Sequence, residues 1–335
     1  MEPVQALKQI ALYLERAGEP THKVQAFRRA AAVVAGLPAG ELEQRLRAGT
    51  LTALPGIGKS TAAVITEAAA GEVPGYLAGL TDVGEQPLAA AGSELLAALR
   101  GDCHTHSDWS DGGSPIREMA EAAAALGHEW MVLTDHSPRL TVANGLSADR
   151  LRKQLDVVAE LNEELAPFRI LTGIEVDILA DGGLDQEPEL LSRLDIVVAS
   201  VHSALRMPAG EMTERMLTAI ENPHTDVLGH CTGRRVAGRG RPESEFDPEV
   251  IFAACRNNGV AVEINSRPDR LDPPRRLLRL ALELDCVFAI DSDAHAPGQL
   301  YWQHYGCARA EECGVTADRV INTRPADEVL AWATA

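Results

Sequence analysis

Asp102-Cys-His-Thr-His-Ser-Asp-Trp-Ser-Asp-Gly112 opens the larger part of this chain, and Val287-Phe-Ala-Ile-Asp-Ser-Asp-Ala-His295 stands at its other end. Each stretch reads as a strand that finishes in metal-type side chains: His104, His106 and Asp111 in the first, Asp293 and His295 in the second. Between them the pattern recurs four times. His136 follows Trp130-Met-Val-Leu133, Glu175 follows Ile170-Leu-Thr-Gly-Ile174, His202 follows Ile196-Val-Val-Ala-Ser-Val201, and His230 follows Asp226-Val-Leu-Gly229. Short apolar runs alternating with helical stretches indicate parallel βα units, whose chemistry gathers where the C-terminal strand ends meet. Strands are expected near 101–104, 130–135, 170–176, 195–201, 226–230, 260–264 and 287–291. Helices are clearest at 115–126, 148–165, 211–221, 248–257 and 274–284. Seven such units, with ligand-type residues on the first and last strands alike, fit a closed barrel better than an open sheet, because closure makes those two strands neighbours. The expected α/β fold is a distorted (β/α)7 barrel.

The 335 residues suffice for about two domains, and 45% hydrophobic with 24% charged residues is ordinary for a globular enzyme. No apolar run approaches the roughly 20 residues that span a bilayer, so no membrane partner is expected. Met1-Glu-Pro-Val-Gln5 turns polar and acidic at once, which is unlike a secretory signal. The six cysteines form no CxxC pair and fit reduced thiols in a cytoplasm; Cys103 and Cys231, beside metal-type histidines, are the two with any claim to redox sensitivity. The net charge of −18 is uneven: residues 1–80 carry eight Lys/Arg against seven Asp/Glu, and the remainder carries all of the acidic excess. That asymmetry separates two domains with different tasks.

Residues 1–79 read as a small all-α domain. Val4, Leu7, Ile10, Ala11 and Leu14 recur at helical spacing up to Gly18. A second helix spans Val24 to Val34, and Glu41 to Arg47 makes a third. Leu54-Pro-Gly-Ile-Gly-Lys-Ser60 then leads into a fourth helix from Thr61. A P-loop is rejected, because position 53 is Ala where that motif needs Gly and no strand precedes it. Two readings remain: a helical hairpin with ordinary turn glycines, or a helix-hairpin-helix in which Gly56 and Gly58 permit the tight turn and free N–H groups at the next helix start can hold a DNA phosphate without reading bases. Lys23, Arg28, Arg29 and Lys59 are the cations around it. Residues 80–100 read as a join, part linker and part short helix, with the barrel domain over 101–335.

A single buried histidine is ordinarily a satisfied core residue. Six histidines and three carboxylates, all at strand ends, call for a polynuclear metal site; His128 and His224 precede their strands, and His22 and His304 lie on helices. Imidazole with carboxylate suits Zn²⁺ or Mn²⁺, with Fe²⁺ also admissible. Three divalent ions against Asp111, Glu175 and Asp293 leave net positive charge, which wants an anion such as phosphate. Metal lowers the pKa of bound water toward about 7, so hydroxide is available to attack phosphorus. Arginines in the loops after strands can clamp the phosphate bidentately. Among Arg234, Arg235, Arg239, Arg241, Arg267 and Arg270, the first choices are Arg235 and Arg270.

These segments, together with Thr134-Asp-His-Ser137, Gly173-Ile-Glu-Val-Asp-Ile178, Ser200-Val-His-Ser203 and Leu228-Gly-His-Cys-Thr-Gly-Arg234, closely resemble the PHP (polymerase and histidinol phosphatase) superfamily of metallophosphoesterases. The resemblance implies a distorted (β/α)7 barrel with three metals. His104, His106, Glu175 and Asp293 would hold one, Glu175, His202 and His230 a second, and Asp111, His136 and His295 a third, with Glu175 as bridge. The closest likeness is to the PHP module of bacterial family X DNA polymerases, and Thr21-His-Lys-Val-Gln-Ala-Phe-Arg-Arg-Ala-Ala31 with the hairpin resembles their small DNA-binding domain. Residues 80–100 leave no room for the nucleotidyl-transfer domains and hold no paired-aspartate motif, so polymerase activity is not expected. His104 stands where polymerase-fused members often carry Gln, which favours hydrolysis. Val64 stands where relatives that remove deoxyribose phosphate carry their nucleophilic lysine, which disfavours a lyase unless Lys59 substitutes. Cys231 replaces a common proline. The expected function is a metal-dependent phosphoesterase on DNA: a 3′-5′ exonuclease, a 3′-end-processing enzyme or an abasic-site endonuclease. The alternatives are a small-molecule phosphatase of the histidinol-phosphatase type and a non-catalytic DNA-binding protein with structural metals. No feature points to an obligate protein partner.

Overall fold

The computed structural model describes residues 1–334, and the chain divides into two compact units, Met1–Pro87 and Leu88–Ala335. The first unit is all helical: α1 (Pro3–Arg16), α2 (Thr21–Ala35), α3 (Glu41–Ala48), α4 (Lys59–Ala69), α5 (Gly75–Ala78) and α6 (Thr81–Glu85). Ala6, Leu7, Ile10 and Leu14 of α1 pack against Phe27, Ala30 and Val34 of α2 and Val64 and Ile65 of α4. Residues three and four apart share one face of a helix, so this spacing gives each helix one apolar stripe.

In the second unit, α7 (Ser93–Ala98) docks on the barrel, where the Glu311 carboxylate accepts the Gly92 and Leu95 N–H groups. Seven strands follow in sequence order: β1 (Gly101–Thr105), β2 (Trp130–Leu133), β3 (Arg169–Asp177), β4 (Ile196–Ser200), β5 (Val227–Leu228), β6 (Ala261–Asn265) and β7 (Phe288–Asp291). All neighbouring pairs are parallel, and a single Thr105–Ala294 bridge brings the last strand to the first. This is the expected seven-stranded barrel, nearly closed. The crossovers are carried by α8 (Ile116–Ala125), α9 (Ala148–Leu165), α10 (Pro188–Leu191), α11 (Ala209–Ile220), α12 (Pro248–Asn257) and α13 (Arg275–Glu283); α14 (Gln303–Glu312) and α15 (Ala326–Ala333) complete the unit.

Two layers of apolar side chains result, as strands covered on both faces require. Cys103, Val132, Leu171, Val198, Val227, Ala261 and Ala289 form one cluster with Ile321, Ala326 and Val329. Alternate strand residues such as Ile174, Val197, Val262 and Ile290 pack in the cluster that includes the helices. Side chains alternate along a strand, so Leu171 shares its face with Glu175, and Ala261 with Glu263. The face that fills the barrel lower down therefore presents carboxylates near the C-terminal rim.

The β1–β7 seam lacks a regular backbone ladder, and buried side chains lace it. The Asp291 carboxylate accepts the Cys103 N–H at 2.9 Å, and Asp102 accepts the His104 N–H at 3.1 Å and the Ser292 hydroxyl. Asn322 donates to Gly101 O, Ile290 O and Asp291, while its own Oδ1 accepts the Ile290 N–H. Polar groups buried at such a seam must be paired, and these nearly all are.

Candidate metal centre

Glu175 lies at the middle of the site, 1% exposed. Its two oxygens face five imidazole nitrogens: His136 Nδ1 at 2.8 Å, His230 Nε2 at 2.9 Å, His202 Nε2 at 3.2 Å, His104 Nε2 at 3.3 Å and His106 Nε2 at 3.7 Å. Burial alone would raise this carboxyl; the histidines, His136 and His202 foremost, override it and hold Glu175 well below the usual range. A second cluster joins it. Asp111 Oδ1 lies 3.3 Å from His295 Nε2 and 3.5 Å from His136 Nε2, and Asp293 Oδ1 lies 3.5 Å from both His106 Nε2 and His295 Nδ1. All nine residues expected from the sequence thus converge.

Three sets of donor atoms lie close enough to hold an ion: His106, Asp111, His136 and His295; His104, His106 and Glu175; His136, Glu175 and His202. They share His106, His136 and Glu175, so they form one continuous centre. Its donor chemistry fits divalent metal. His104 Nε2, His106 Nε2, His136 Nδ1 and His202 Nε2, which all face the Glu175 carboxylate, are buried without a hydrogen-bond partner, as is Glu175 Oε2. A buried polar atom left unpaired costs about 1–3 kcal/mol, so a whole set aimed at one spot is the signature of a bound cation rather than of a core.

β1 reaches the site by breaking its own alternation. Cys103 packs in the barrel interior, yet the next residue, His104, also faces inward to Glu175 and Glu263. The β1–β2 register shifts between Asp102 and Thr105, and such an irregularity re-aims a side chain. Asp293 is likewise forced, with a φ of +51° that an L-residue adopts only when its surroundings hold it.

Two carboxylates in the site were not anticipated from the sequence. Glu263, on β6 and 0% exposed, lies 2.6 Å from His104 Nδ1, and its other oxygen accepts the His230 N–H. Asp177, on β3, lies 2.6 Å from His202 Nδ1. Both occupy the far nitrogen of an imidazole whose near nitrogen faces Glu175, the arrangement that fixes the tautomer of a metal-binding histidine. The available signal was their inward parity, two residues from Ala261 and Glu175 respectively.

Of the two arginines first chosen, only Arg270 reaches the centre: it is 7% exposed and its Nε lies 3.2 Å from Asp293 Oδ2. Arg235 does not. Its side chain is 45% exposed and pairs with Asp269 at 3.6 Å. The second arginine brought to the cluster is Arg267, with Nη1 3.4 Å from Asp293 Oδ1 and 3.1 Å from His295 Nδ1. The thiols of Cys103 and Cys231 are pushed well above their ordinary value by burial, which leaves little thiolate for redox chemistry.

In the helical unit, Leu54 to Gly58 forms the expected hairpin before α4. Gly56 has a φ of +92°, and a Cβ there would meet the Arg29 side chain at 3.0 Å. Gly58 N donates to the Thr61 hydroxyl, while Lys59 is exposed at the start of α4. Arg29 and Lys59 therefore flank the turn. Arg28 instead pairs with Glu15 at 2.5 Å and Lys23 with Glu19 at 2.8 Å. Val64 is 1% exposed in the helical core.

Residues 1–72 match the model of a helix-hairpin-helix domain, and residues 102–267 that of the PHP domain. The chain is 30% identical over 233 residues to a probable phosphatase of Thermoanaerobacter sp. (strain X514), covering 66% of this chain and 89% of that protein. The chain belongs to the PHP family. It is a metal-dependent phosphoesterase, a hydrolase of ester bonds. It is also 40% identical over 237 residues to the DNA polymerase/3′-5′ exonuclease PolX of Bacillus subtilis (strain 168), covering 71% of this chain but only 41% of that protein. The solved structure of histidinol phosphate phosphatase from Lactococcus lactis, complexed with zinc, L-histidinol and phosphate, aligns with a TM-score of 0.49 at 19% identity, over 65% of this chain and 94% of that one. No described helix of this PHP protein is long and apolar enough to cross a membrane.

Proposed function

We propose that this PHP protein hydrolyses phosphodiester bonds of DNA, as a 3′-5′ exonuclease or a related 3′-end-processing enzyme. The observation that carries this reading is the joining, in one chain, of a helix-hairpin-helix unit to a buried imidazole–carboxylate centre flanked by arginine. The similarity to the Bacillus subtilis exonuclease supports it. Arg29, Lys59 and the free N–H groups at the start of α4 hold backbone phosphates without reading sequence. The six cysteines are all free and buried, which fits work in a reducing cytoplasm.

At the centre, His104, His106, Asp111, His136, Glu175, His202, His230, Asp293 and His295 would hold three divalent ions, zinc or manganese, with Glu175 shared. Such ions supply Lewis acidity at phosphorus and make water acidic enough to attack near neutral pH. Glu263 and Asp177 hold His104 and His202 in the tautomer that turns Nε2 inward. Arg270 and Arg267 place positive charge beside Asp293, suited to the negative charge that develops when a phosphodiester is cleaved.

The test is hydrolysis of a 3′-labelled, gapped DNA by the purified protein with added Mn²⁺, beside a His106→Ala control. Label release that vanishes in the control is expected. Intact DNA, with the same preparation cleaving histidinol phosphate or another phosphomonoester, would overturn the DNA reading in favour of a small-molecule phosphatase.

A further inference from the structure

A monophosphate needs one cationic clamp, yet arginines continue outward from this centre. Arg270, 7% exposed, has its Nε and Nη1 without a hydrogen-bond partner beside Asp293. The loop after β5 folds back on itself next to it. Arg235 and Arg241 exchange backbone hydrogen bonds at 2.9 Å in each direction, with Gly238 and Gly240 supplying the left-handed residues of the turn between them. Arg241 Nε donates to Gly233 O at 2.6 Å, which holds its guanidinium at the base of this small hairpin. Val236 N donates to Asp269 O at 2.7 Å and Arg234 Nε to Arg270 O at 3.1 Å, so the hairpin is tied to the loop that carries Arg267 and Arg270.

The charges are close enough to repel. The Arg241 guanidinium is held below its ordinary value, first by burial and then by the charges of Arg270 and Arg235. Residues 229–241 contain four arginines and no acidic residue, and the loop after β4 adds an exposed Arg206. By contrast, the loop after β3 carries Asp181, Asp185 and Glu187. A domain that bears the chain's whole acidic excess has thus concentrated cations on one arc of its rim. Asp269 and Glu243 pair with Arg235 and Arg234 at 3.6 and 3.7 Å, which leaves the loop with a net positive charge that a polyanion complements.

We infer that the β5 hairpin is the binding track for the phosphates that flank the scissile one, so that a single nucleic-acid strand leaves the metal centre over Arg241, Arg235 and Arg239. This inference rests on the phosphodiesterase reading above and deepens it: it makes the rim a selector for a strand with consecutive phosphates over an isolated phosphate ester.

The test compares the full-length wild-type protein with R235Q/R239Q on two substrates, an eight-residue oligothymidylate and bis(p-nitrophenyl) phosphate, each over a range of salt. The expected result is a drop in kcat/KM on the oligonucleotide about tenfold larger than on the small ester, carried by KM. The slope of log KM against log salt should fall by about 1.4, at about 0.7 per phosphate contact on a single strand. R235K/R239K should recover most of that slope, because charge is what the track supplies. Equal losses on the two substrates, or an unchanged oligonucleotide KM, would overturn the track while leaving the nuclease reading intact. A wild-type protein that cleaves the small ester and no oligonucleotide would overturn both.

Discussion

Glu263 offers the sharpest perturbation of the metal centre, because it touches the proposed ligands and is not one of them. Its two oxygens serve three buried donors: His104 Nδ1 at 2.6 Å on one, and the backbone N–H of His230 with Asn265 Nδ2 at 3.3 Å on the other. In Glu263→Gln the size is kept, but one of those donors must now face an amide N–H₂. One unpaired buried donor costs about 1–3 kcal/mol. The same loss frees the His104 ring, whose Nε2 faces Glu175 only while Nδ1 is held. Removing such a supporting partner weakens metal binding by roughly 10- to 100-fold. A 100-fold weaker site forfeits up to about 2.7 kcal/mol of metal-linked stability. Thermal unfolding in chelator and in saturating Mn²⁺, alongside a metal titration of hydrolysis, separates the two contributions. The variant should lose a little stability in chelator and clearly more in metal, with its metal dependence shifted to higher concentration. An equal loss of stability in both conditions, or an unchanged metal titration, would show that Glu263 is only a packing residue and that the argument from its geometry is wrong.

Further consequences follow from other sites. Glu175→Ala should abolish hydrolysis while circular dichroism shows the fold retained, since the residue faces five imidazoles; residual turnover would overturn its placement at the centre. Burial pushes Asp226 up to about 7, against the hydrogen bond it accepts from Val197 N. Between its ordinary value and about 7 the folded protein keeps a proton that the unfolded chain has released, so stability falls as pH rises through that window. Asp226→Asn, which can still accept from Val197, should therefore gain on the wild type by as much as about 4 kcal/mol at pH 8 and little at pH 4, read by urea unfolding; a pH-independent difference would sink this account. A Cβ on Gly101 would lie 2.2 Å from the Trp130 ring, which is fully buried and held by its Nε1–H donating to Arg324 O at 3.0 Å. Gly101→Ala should cost about 1–3 kcal/mol in thermal unfolding, and a wild-type melting temperature would mean that the ring moves aside freely.

Much of this was legible in the sequence because parallel βα units tie chemistry to position. The helix expected at 148–165 is observed as Ala148–Leu165, and that at 248–257 as Pro248–Asn257, since capping residues and apolar spacing agree there. Ser147 and Asp247 cap those two helices with their side chains. β5 is shorter than expected, Val227–Leu228 in place of 226–230, although Gly229 N still donates to Ala199 O of β4 at 2.9 Å. The nine donor residues were legible because each lies at a C-terminal strand end or in the loop that follows it, and these share one rim of a barrel.

What stayed hidden is pairing across the barrel. Glu263 sits in Ala-Val-Glu-Ile-Asn265, an apolar run in which a lone carboxylate reads as an edge or surface residue. Only the barrel's closure brings it to His104, 159 residues away in sequence. The arginines show the same limit from the other side. Arg235 and Arg270 have equal claims by composition, and the choice between them is made by two loop geometries. The turn that ends in Leu271 at a φ of +48° folds Arg270 inward against Asp293, while the Arg235–Arg241 bridge carries Arg235 outward to Asp269. Local sequence places a residue on the rim; the backbone hydrogen bonds of the loop decide whether it faces the centre or the strand leaving it.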